Sequence, residues 1–349
     1  VFLLNREGFQ KGKDAMSNRQ KGILVTGAGG FIGSHLVRFL SDKDFWVRGV
    51  DIKKPEFGET AADEFLLLDL RKWENCLEAT EGMDEVYNLA ANMGGIGFIT
   101  EVKAEVMWDN VLINTHMLEA ARVNKAKKFF FSSSACIYPT YKQDSPEVPG
   151  LKESDAYPAD CDNEYGWEKL FVERLCMNYY LDYGLETRVA RFHNIFGPEG
   201  TYDGGREKSP AAICRKVADA EDGGTIEIWG DGRQTRSYCY IDDCLEGFYR
   251  LMQSNYRDPI NIGSDRMVTI DELANIIIEI SGKQLAKTYD LTKPQGVRGR
   301  NSDNTIQRKV LNWSPQVSLE EGLEKTYKWV EAEINKREEV IILSGEISL

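Results

Sequence analysis

From residue 22 onward, short and almost wholly apolar runs alternate with longer amphipathic stretches. Gly22-Ile23-Leu24-Val25-Thr26 reads as a buried strand that passes without a gap into Gly27-Ala28-Gly29-Gly30-Phe31-Ile32-Gly33 and a helical run to about Leu40. Further strands are predicted at Trp46–Val50, at Phe65–Leu68, over Glu85–Ala91, at Lys128–Phe131 and over Glu186–Arg191, with a helix from Val111 to Arg122. A second helix starts at Tyr165 and carries Phe171, Leu175 and Tyr179 at helical spacing, a stripe that suits core or a dimer interface. Strands alternating with helices predict an α/β fold, a doubly wound parallel sheet. After residue 195, Gly/Pro-rich loops interrupt shorter elements. This divides the chain into a polar leader at 1–20, a dinucleotide-binding domain at 21–195, a smaller substrate lobe at 196–335 with some segments returning to the core, and a tail at 336–349 to which no role is assigned.

Composition narrows the class. With 42% hydrophobic and 28% charged residues in 349, the chain is an ordinary globular protein. A net charge of −13 argues against nucleic acid and anionic membranes as partners, because both demand a positive surface. Any anionic ligand is therefore held by local cations. The seven cysteines are odd in number, scattered and without a CxxC pair, so neither a disulfide framework nor a metal site is expected. No apolar run is long enough for a membrane span or a signal peptide, and a reducing, cytoplasmic location is the expectation.

The glycine stretch is the first candidate site. Gly27 permits the tight turn, Gly30 lets the backbone approach a pyrophosphate, and Gly33 packs helix on strand. The diphosphate would then sit at a helix N-terminus, against the backbone of Phe31 and Ile32. Asp51, closing the second strand, suits the adenosine ribose and repels a 2′-phosphate, which selects NAD over NADP. Asp69 ends the next strand and either reaches the adenine amino group or caps a helix. Leu89, Ala90 and the small residues up to Gly95 line the diphosphate and nicotinamide side. The fold is therefore Rossmann-type, with NAD as cofactor.

The second candidate site is Ser132-Ser133-Ser134-Ala135-Cys136-Ile137-Tyr138-Pro139, three hydroxyls and a thiol at a strand's carboxyl end. Tyr165 and Lys169 follow, four apart on one helical face. A serine (Ser134), a Tyr-x-x-x-Lys pair and a nicotinamide form a redox logic in which the tyrosine exchanges a hydroxyl proton while hydride moves. Free tyrosine, with a pKa near 10, is a poor base at neutral pH. Lys169 and the nicotinamide are expected to stabilise its phenolate. Cys136 adds a group able to move carbon-bound protons.

These strings resemble the extended short-chain dehydrogenase/reductase family, whose members mostly modify nucleotide sugars. The resemblance covers residues 21–335. Family dehydratases carry an Asp-Glu pair where this chain has Ala135-Cys136, and UDP-galactose-type 4-epimerases a threonine in place of the cysteine, so neither branch fits. Spans 190–212, 229–243, 261–265 and 296–304 are similar to the branch acting on a GDP-linked mannose. The resemblance implies oxidation at C4, inversion at C3 and C5, and reduction at C4, giving GDP-L-galactose, or GDP-L-gulose when only C5 inverts. It makes Tyr165 the redox base and Cys136 and Lys208 the acid/base pair on opposite ring faces. It also implies that Gly94, Ser134, Ala135, Asn194, Glu207, Lys216, Gln234, Arg236 and Arg300 hold the substrate, within a homodimer.

The chemistry agrees, since inverting a carbon needs proton removal on one face and delivery on the other. Arg236 and Arg300 suit the pyrophosphate, a guanidinium fork matching phosphate bidentately. Lys208 otherwise decorates a solvated loop. His193 is expected as a packed structural residue, and Trp229 as loop packing. Two rivals stand: an NADPH-dependent epimerase/reductase of the GDP-fucose synthase kind, which Asp51 disfavours, and a non-catalytic dinucleotide sensor, which the intact Ser/Tyr/Lys set disfavours.

Overall fold

The computed structural model describes residues 21–344, so the leader at 1–20 and the last five residues of the tail lie outside the described residues. Seven strands form the main sheet: β1 (Gly22–Thr26), β2 (Trp46–Asp51), β3 (Glu64–Leu67), β4 (Glu85–Asn88), β5 (Lys128–Ser134), β6 (Glu186–Phe192) and β7 (Ile260–Ile262). Their spatial order is β7-β6-β5-β4-β1-β2-β3, and every pairing is parallel. The chain leaves β1 toward β2 and β3, then returns to lay β4 on the other side of β1. That reversal opens a crevice at the carboxyl ends of β1 and β4, where open α/β sheets bind ligands.

Alternate residues of one strand serve opposite faces. Ile23 and Val25 join a core with Leu36, Val37 and Leu40 of helix α1 (Phe31–Ser41). Leu24 joins a second core with Met117 and Leu118 of α2 (Lys103–Val123) and Val172 and Cys176 of α3 (Glu164–Tyr183). Phe129, Phe130 and Phe131 of β5 are fully buried, the middle ring on the α1 side and the outer two on the α2/α3 side. Each contributes about 1.5–3 kcal/mol by burial, which anchors the strand carrying the serines. The α1 core continues without a seam into Ile226, Ile228, Leu273 and Val330, so the later residues share one interior with the sheet.

Four boundaries differ from the sequence expectation. The serines are the last residues of β5 rather than lying beyond it. β4 stops at Asn88, because the next N–H groups, of Leu89 and Ala90, turn to Thr26 Oγ1 at 3.1 Å each instead of continuing the ladder. Helix α2 begins at Lys103, eight residues before Val111. Much of the 336–349 tail continues a helix spanning Leu319–Ser344.

Three smaller sheets accompany the main one, Ile195–Phe196 pairing with Cys239–Tyr240 in the first. Thr225–Trp229 pairs with Ala286–Asp290. Thr235–Ser237 lies between Met267–Thr269 and Gly299–Arg300 and sets Arg236 and Arg300 in register side by side.

Candidate active site

The glycine turn fits a close-approaching ligand. Gly27 has φ +70°, and a Cβ there would lie 2.9 Å from Ala90 N; a Cβ at Gly33 would lie 2.0 Å from Gly27 O. Both positions exclude a side chain. Gly30 is the N-cap of α1 and no side chain caps it, so the first-turn N–H groups around Phe31 and Ile32 lie open to an anion. Asp51 leans across the turn, its carboxylate accepting from Gly29 N at 2.9 Å and Lys53 N at 3.2 Å. Burial pushes its pKa up, against those backbone donors. Asp69 does not cap the following helix, whose N-cap is Lys72. Instead it accepts from Arg71 Nε at 2.9 Å and Nη2 at 3.0 Å, and this pairing holds its pKa down.

The redox set comes together at the ends of β5 and α3. Tyr165 is 7% exposed and packs with Cys136 and Val106, walled by Met93, Phe98 and Val102. Lys169 is buried, its Nζ over the Tyr165 ring at 5.2 Å from the centroid and over that of Phe131 at 4.7 Å. Asn163 caps α3 by accepting from Gly166 N at 2.9 Å, which fixes where both side chains project. Burial, and then the charges of Glu168 and Cys136, push the Tyr165 phenol well above its usual pKa. Burial also lowers the pKa of Lys169, and the charge of Glu168 beside it opposes that shift.

The three serines diverge. Ser132 Oγ donates to Asn88 O at 3.1 Å, Ser133 Oγ donates to Glu173 at 2.5 Å behind the sheet, and Ser134 Oγ accepts from Cys136 N at 3.1 Å. Ser134 thereby caps a single 3₁₀ turn, Ala135–Ile137, that presents the thiol. Glycine at 166 lets α3 lie against this turn, since a Cβ there would fall 2.1 Å from Cys136 O.

Across the cleft, the Gly94–Gly95 loop docks on the loop bearing Lys208: Gly95 N donates to Arg206 O at 2.9 Å, and a Cβ at Gly95 would meet Glu207 O at 2.2 Å. Lys208 is the N-cap of α4 (Ser209–Asp219). Its side chain is exposed, and desolvation by the surrounding protein lowers its pKa, with the charges of Cys136 and Cys244 acting against that. Lys208 is thus close enough to Cys136 for their charges to interact.

The remaining predicted ligands line the same side with unequal freedom. Arg236 donates only to the carbonyls of Thr235 and Gln295, and burial with the neighbouring Arg300 lowers its pKa to about 10, the mark of a cation short of an anion. Arg300 is different. Its Nε donates to Gln143 Oε1 at 2.6 Å, its Nη1 to Cys136 Sγ at 3.4 Å and its Nη2 to Asp162 at 2.5 Å. Three of its five N–H groups are thus engaged by protein, one of them on the thiol, which leaves Arg236 the freer cation for a diphosphate. Lys216 Nζ donates to Glu227 O at 2.7 Å and lies over the Trp229 ring, while Asn194, at φ +45°, donates to Ser237 O at 2.9 Å. Glu207 and Gln234 each keep one buried oxygen, Oε2 and Oε1, without a protein partner. His193 is fully buried against Asn261 at 3.0 Å, and burial pushes its pKa down to about 3, which makes it a neutral packing group as expected.

Residues 23–263 match the model of the NAD dependent epimerase/dehydratase family. The chain belongs to that family. It is 50% identical over 316 residues to GDP-mannose 3,5-epimerase of Arabidopsis thaliana, covering 90% of this chain and 83% of that protein. Identity to GDP-L-fucose synthase of Escherichia coli is 27% over 319 residues, covering 88% of this chain and 95% of the other. A crystal structure of UDP-glucuronic acid 4-epimerase from Bacillus cereus, in complex with UDP-glucuronic acid and NAD, superposes with a TM-score of 0.77 at 26% identity, covering 89% of this chain and 99% of that one.

The epimerase/dehydratase turn described above suits NAD: a left-handed Gly27, an uncapped helix N-terminus and a carboxylate at the end of β2. Among the described residues no cluster of His, Cys, Asp and Glu could hold a metal ion, and no helix is long and apolar enough to cross a membrane. Sequence reasoning missed Gln143 and Asp162, which position Arg300, and left Glu168 unassigned inside the Tyr-x-x-x-Lys motif. Asp162 and Glu168 carried a signal, being acidic residues beside a catalytic pair; Gln143 carried none.

Proposed function

We propose that the protein converts GDP-mannose to GDP-L-galactose, and to GDP-L-gulose when only C5 inverts. The observation that carries this reading is the thiol of Cys136 packed against Tyr165 at the end of β5, with Lys208 near enough to feel its charge. When bound, NAD supplies the hydride acceptor and donor for C4. Tyr165 takes the C4 hydroxyl proton and later returns it. The ketone so formed acidifies C3 and C5, and Cys136 and Lys208 remove and deliver protons on opposite faces of the ring. Burial that depresses the Lys208 pKa favours its amine form, which an acid/base partner needs.

Residues 196–335 supply the substrate lobe in this reading. Arg236 takes the diphosphate, while the unpartnered oxygens of Glu207 and Gln234 accept from nucleotide or sugar donors. The exposed side chains of Met107, Trp108, Trp167, Phe171 and Met177 on α2 and α3 support a homodimer built on those helices. Seven cysteines, all free, support a cytoplasmic location. The testing experiment is incubation with GDP-mannose in heavy water: deuterium at C3 and C5 of the product is expected, and product without label there would overturn the reading.

A further inference from the structure

Glu168 is a buried carboxylate that the proposed reaction does not use. It is 0% exposed, lies inside the catalytic motif, and one oxygen, Oε1, stands 3.6 Å from Lys169 Nζ without a hydrogen-bond partner. Its other oxygen accepts from Asn114 Nδ2 at 3.2 Å; Asn114 Oδ1 accepts from Asn88 Nδ2 at 2.8 Å, and Asn88 Oδ1 from Thr26 Oγ1 at 2.9 Å. Thr26 directly precedes the glycine turn. A continuous buried polar chain therefore runs from the start of the cofactor loop to the catalytic lysine. Such chains are retained in a core only when every member is engaged, and here the last link is an ammonium facing a carboxylate.

We infer that Glu168 is the positioning residue that keeps Lys169 an ammonium, serving as its counter-ion and tethering it through Asn114 to the cofactor loop. The surroundings leave it that task alone. The titratable groups facing Lys169 are Tyr165, Glu168 and Cys176, all on α3; β5 contributes the Phe131 ring, and α2 contributes the neutral amides of Asn110 and Asn114 that reach Glu168. Cys136, from the 3₁₀ turn, faces Tyr165 instead. Burial lowers the pKa of Lys169 and raises that of Glu168, and each charge opposes the other's shift. Without the carboxylate only the weaker influence of Cys176 opposes desolvation of the ammonium. A neutral Lys169 would leave the Tyr165 phenolate unsupported whenever the tyrosine gives up its proton.

The inference rests on the proposed reaction for its kinetic arm only. The variant is Glu168→Gln, which keeps the volume and the acceptor for Asn114 but removes the charge. The first measurement is the pH titration of the Lys169 side chain by NMR in the NAD-bound protein labelled with ¹³Cε-lysine, its resonance identified by loss in Lys169→Arg. The titration midpoint is expected to fall by at least one pH unit in Glu168→Gln, and an unmoved midpoint overturns the inference. The second measurement is steady-state kinetics with GDP-mannose and with its C4-deuterated form. A kcat at least tenfold lower is expected, with KM within threefold of wild type and a larger C4 isotope effect, which a merely structural role would not produce. An unchanged kcat and isotope effect also overturn it. If the wild-type protein leaves GDP-mannose unconverted, the substrate reading falls while the lysine titration still decides the role of Glu168.

Discussion

Arg300 Nη1 donates to Cys136 Sγ across 3.4 Å, so two residues 164 apart in sequence meet at the centre of the cleft. The guanidinium is held there by Gln143 and Asp162, while its register partner Arg236 keeps its charge uncompensated. Two arginines that look alike in sequence therefore differ in kind. Arg236→Ala is expected to raise KM for GDP-mannose tenfold or more with little change in kcat, by loss of uniform binding to the diphosphate. Arg300→Ala is expected to lower kcat chiefly, because it unseats the thiol and leaves the half-buried Asp162 without its cation. Steady-state kinetics on the two variants settles the contrast, and equal KM effects would return Arg300 to the diphosphate.

Tyr165→Phe removes a hydroxyl that makes no hydrogen bond to the described protein and leaves the ring packing with Cys136 and Val106 intact. Folding and NAD content should stay near wild type. Oxidation at C4 should be abolished, and with it deuterium exchange at C3 and C5, since no ketone forms to acidify those carbons. Near wild-type epimerisation by this variant would remove Tyr165 from the redox step.

His193 ties stability to pH. Its pKa is pushed down to about 3 by burial, below its ordinary value of 6.5, so between those values the unfolded chain binds a proton that the folded one refuses. Stability therefore falls as pH drops below 6.5, with a slope approaching about 1.4 kcal/mol per pH unit from this group. Urea midpoints measured from pH 7 to pH 5 should decline, and His193→Gln, which keeps a donor toward Asn261, should flatten part of that decline.

Six of the seven strands were legible, most as apolar runs bounded by turn residues, and the glycine turn because its spacing follows from sterics; β7, only three residues long among the loops after 195, was missed. The redox and acid/base groups were legible as strings at strand ends. The partners of those groups were not. Whether Arg300 meets a phosphate or a thiol depends on Gly299–Arg300 pairing beside Thr235–Ser237 and on Asp162 waiting at the start of α3, both set by contacts remote in sequence. The depth at which Tyr165 and Lys169 lie was hidden as well, because the helical spacing of Tyr and Lys is readable in the chain while their burial is not.

Gly166→Ala tests the packing behind the thiol. The added Cβ would fall 2.1 Å from Cys136 O and 2.8 Å from its carbonyl carbon, both backbone atoms that cannot swing aside. Either α3 or the 3₁₀ turn must shift, at a cost of about 1–3 kcal/mol. Chemical denaturation should show the loss, and kcat should fall with it because the turn carries Cys136. An alanine variant of wild-type stability would mean that the helix approaches the turn less closely than 2.1 Å implies.

Cys136→Ala separates the two chemistries of the site. Hydride transfer requires Tyr165, whereas carbon deprotonation requires a second base, for which Cys136 and Lys208, near enough for their charges to interact, are the candidates. The residue sits at 9% exposure, its backbone N–H held by Ser134 and its thiol by Arg300, and its removal takes one packing partner from Tyr165 but no hydrogen bond from Tyr165 or Lys169. The variant should reduce its bound nicotinamide transiently on mixing with GDP-mannose, seen as a rise and decay of absorbance, yet incorporate little solvent deuterium at C3 or C5. Cys136→Ser should behave in the same way, since a hydroxyl is a far weaker acid/base than a thiol. Wild-type rates of deuterium entry in the alanine variant would sink the assignment and leave Lys208, or water, to do the work at both carbons.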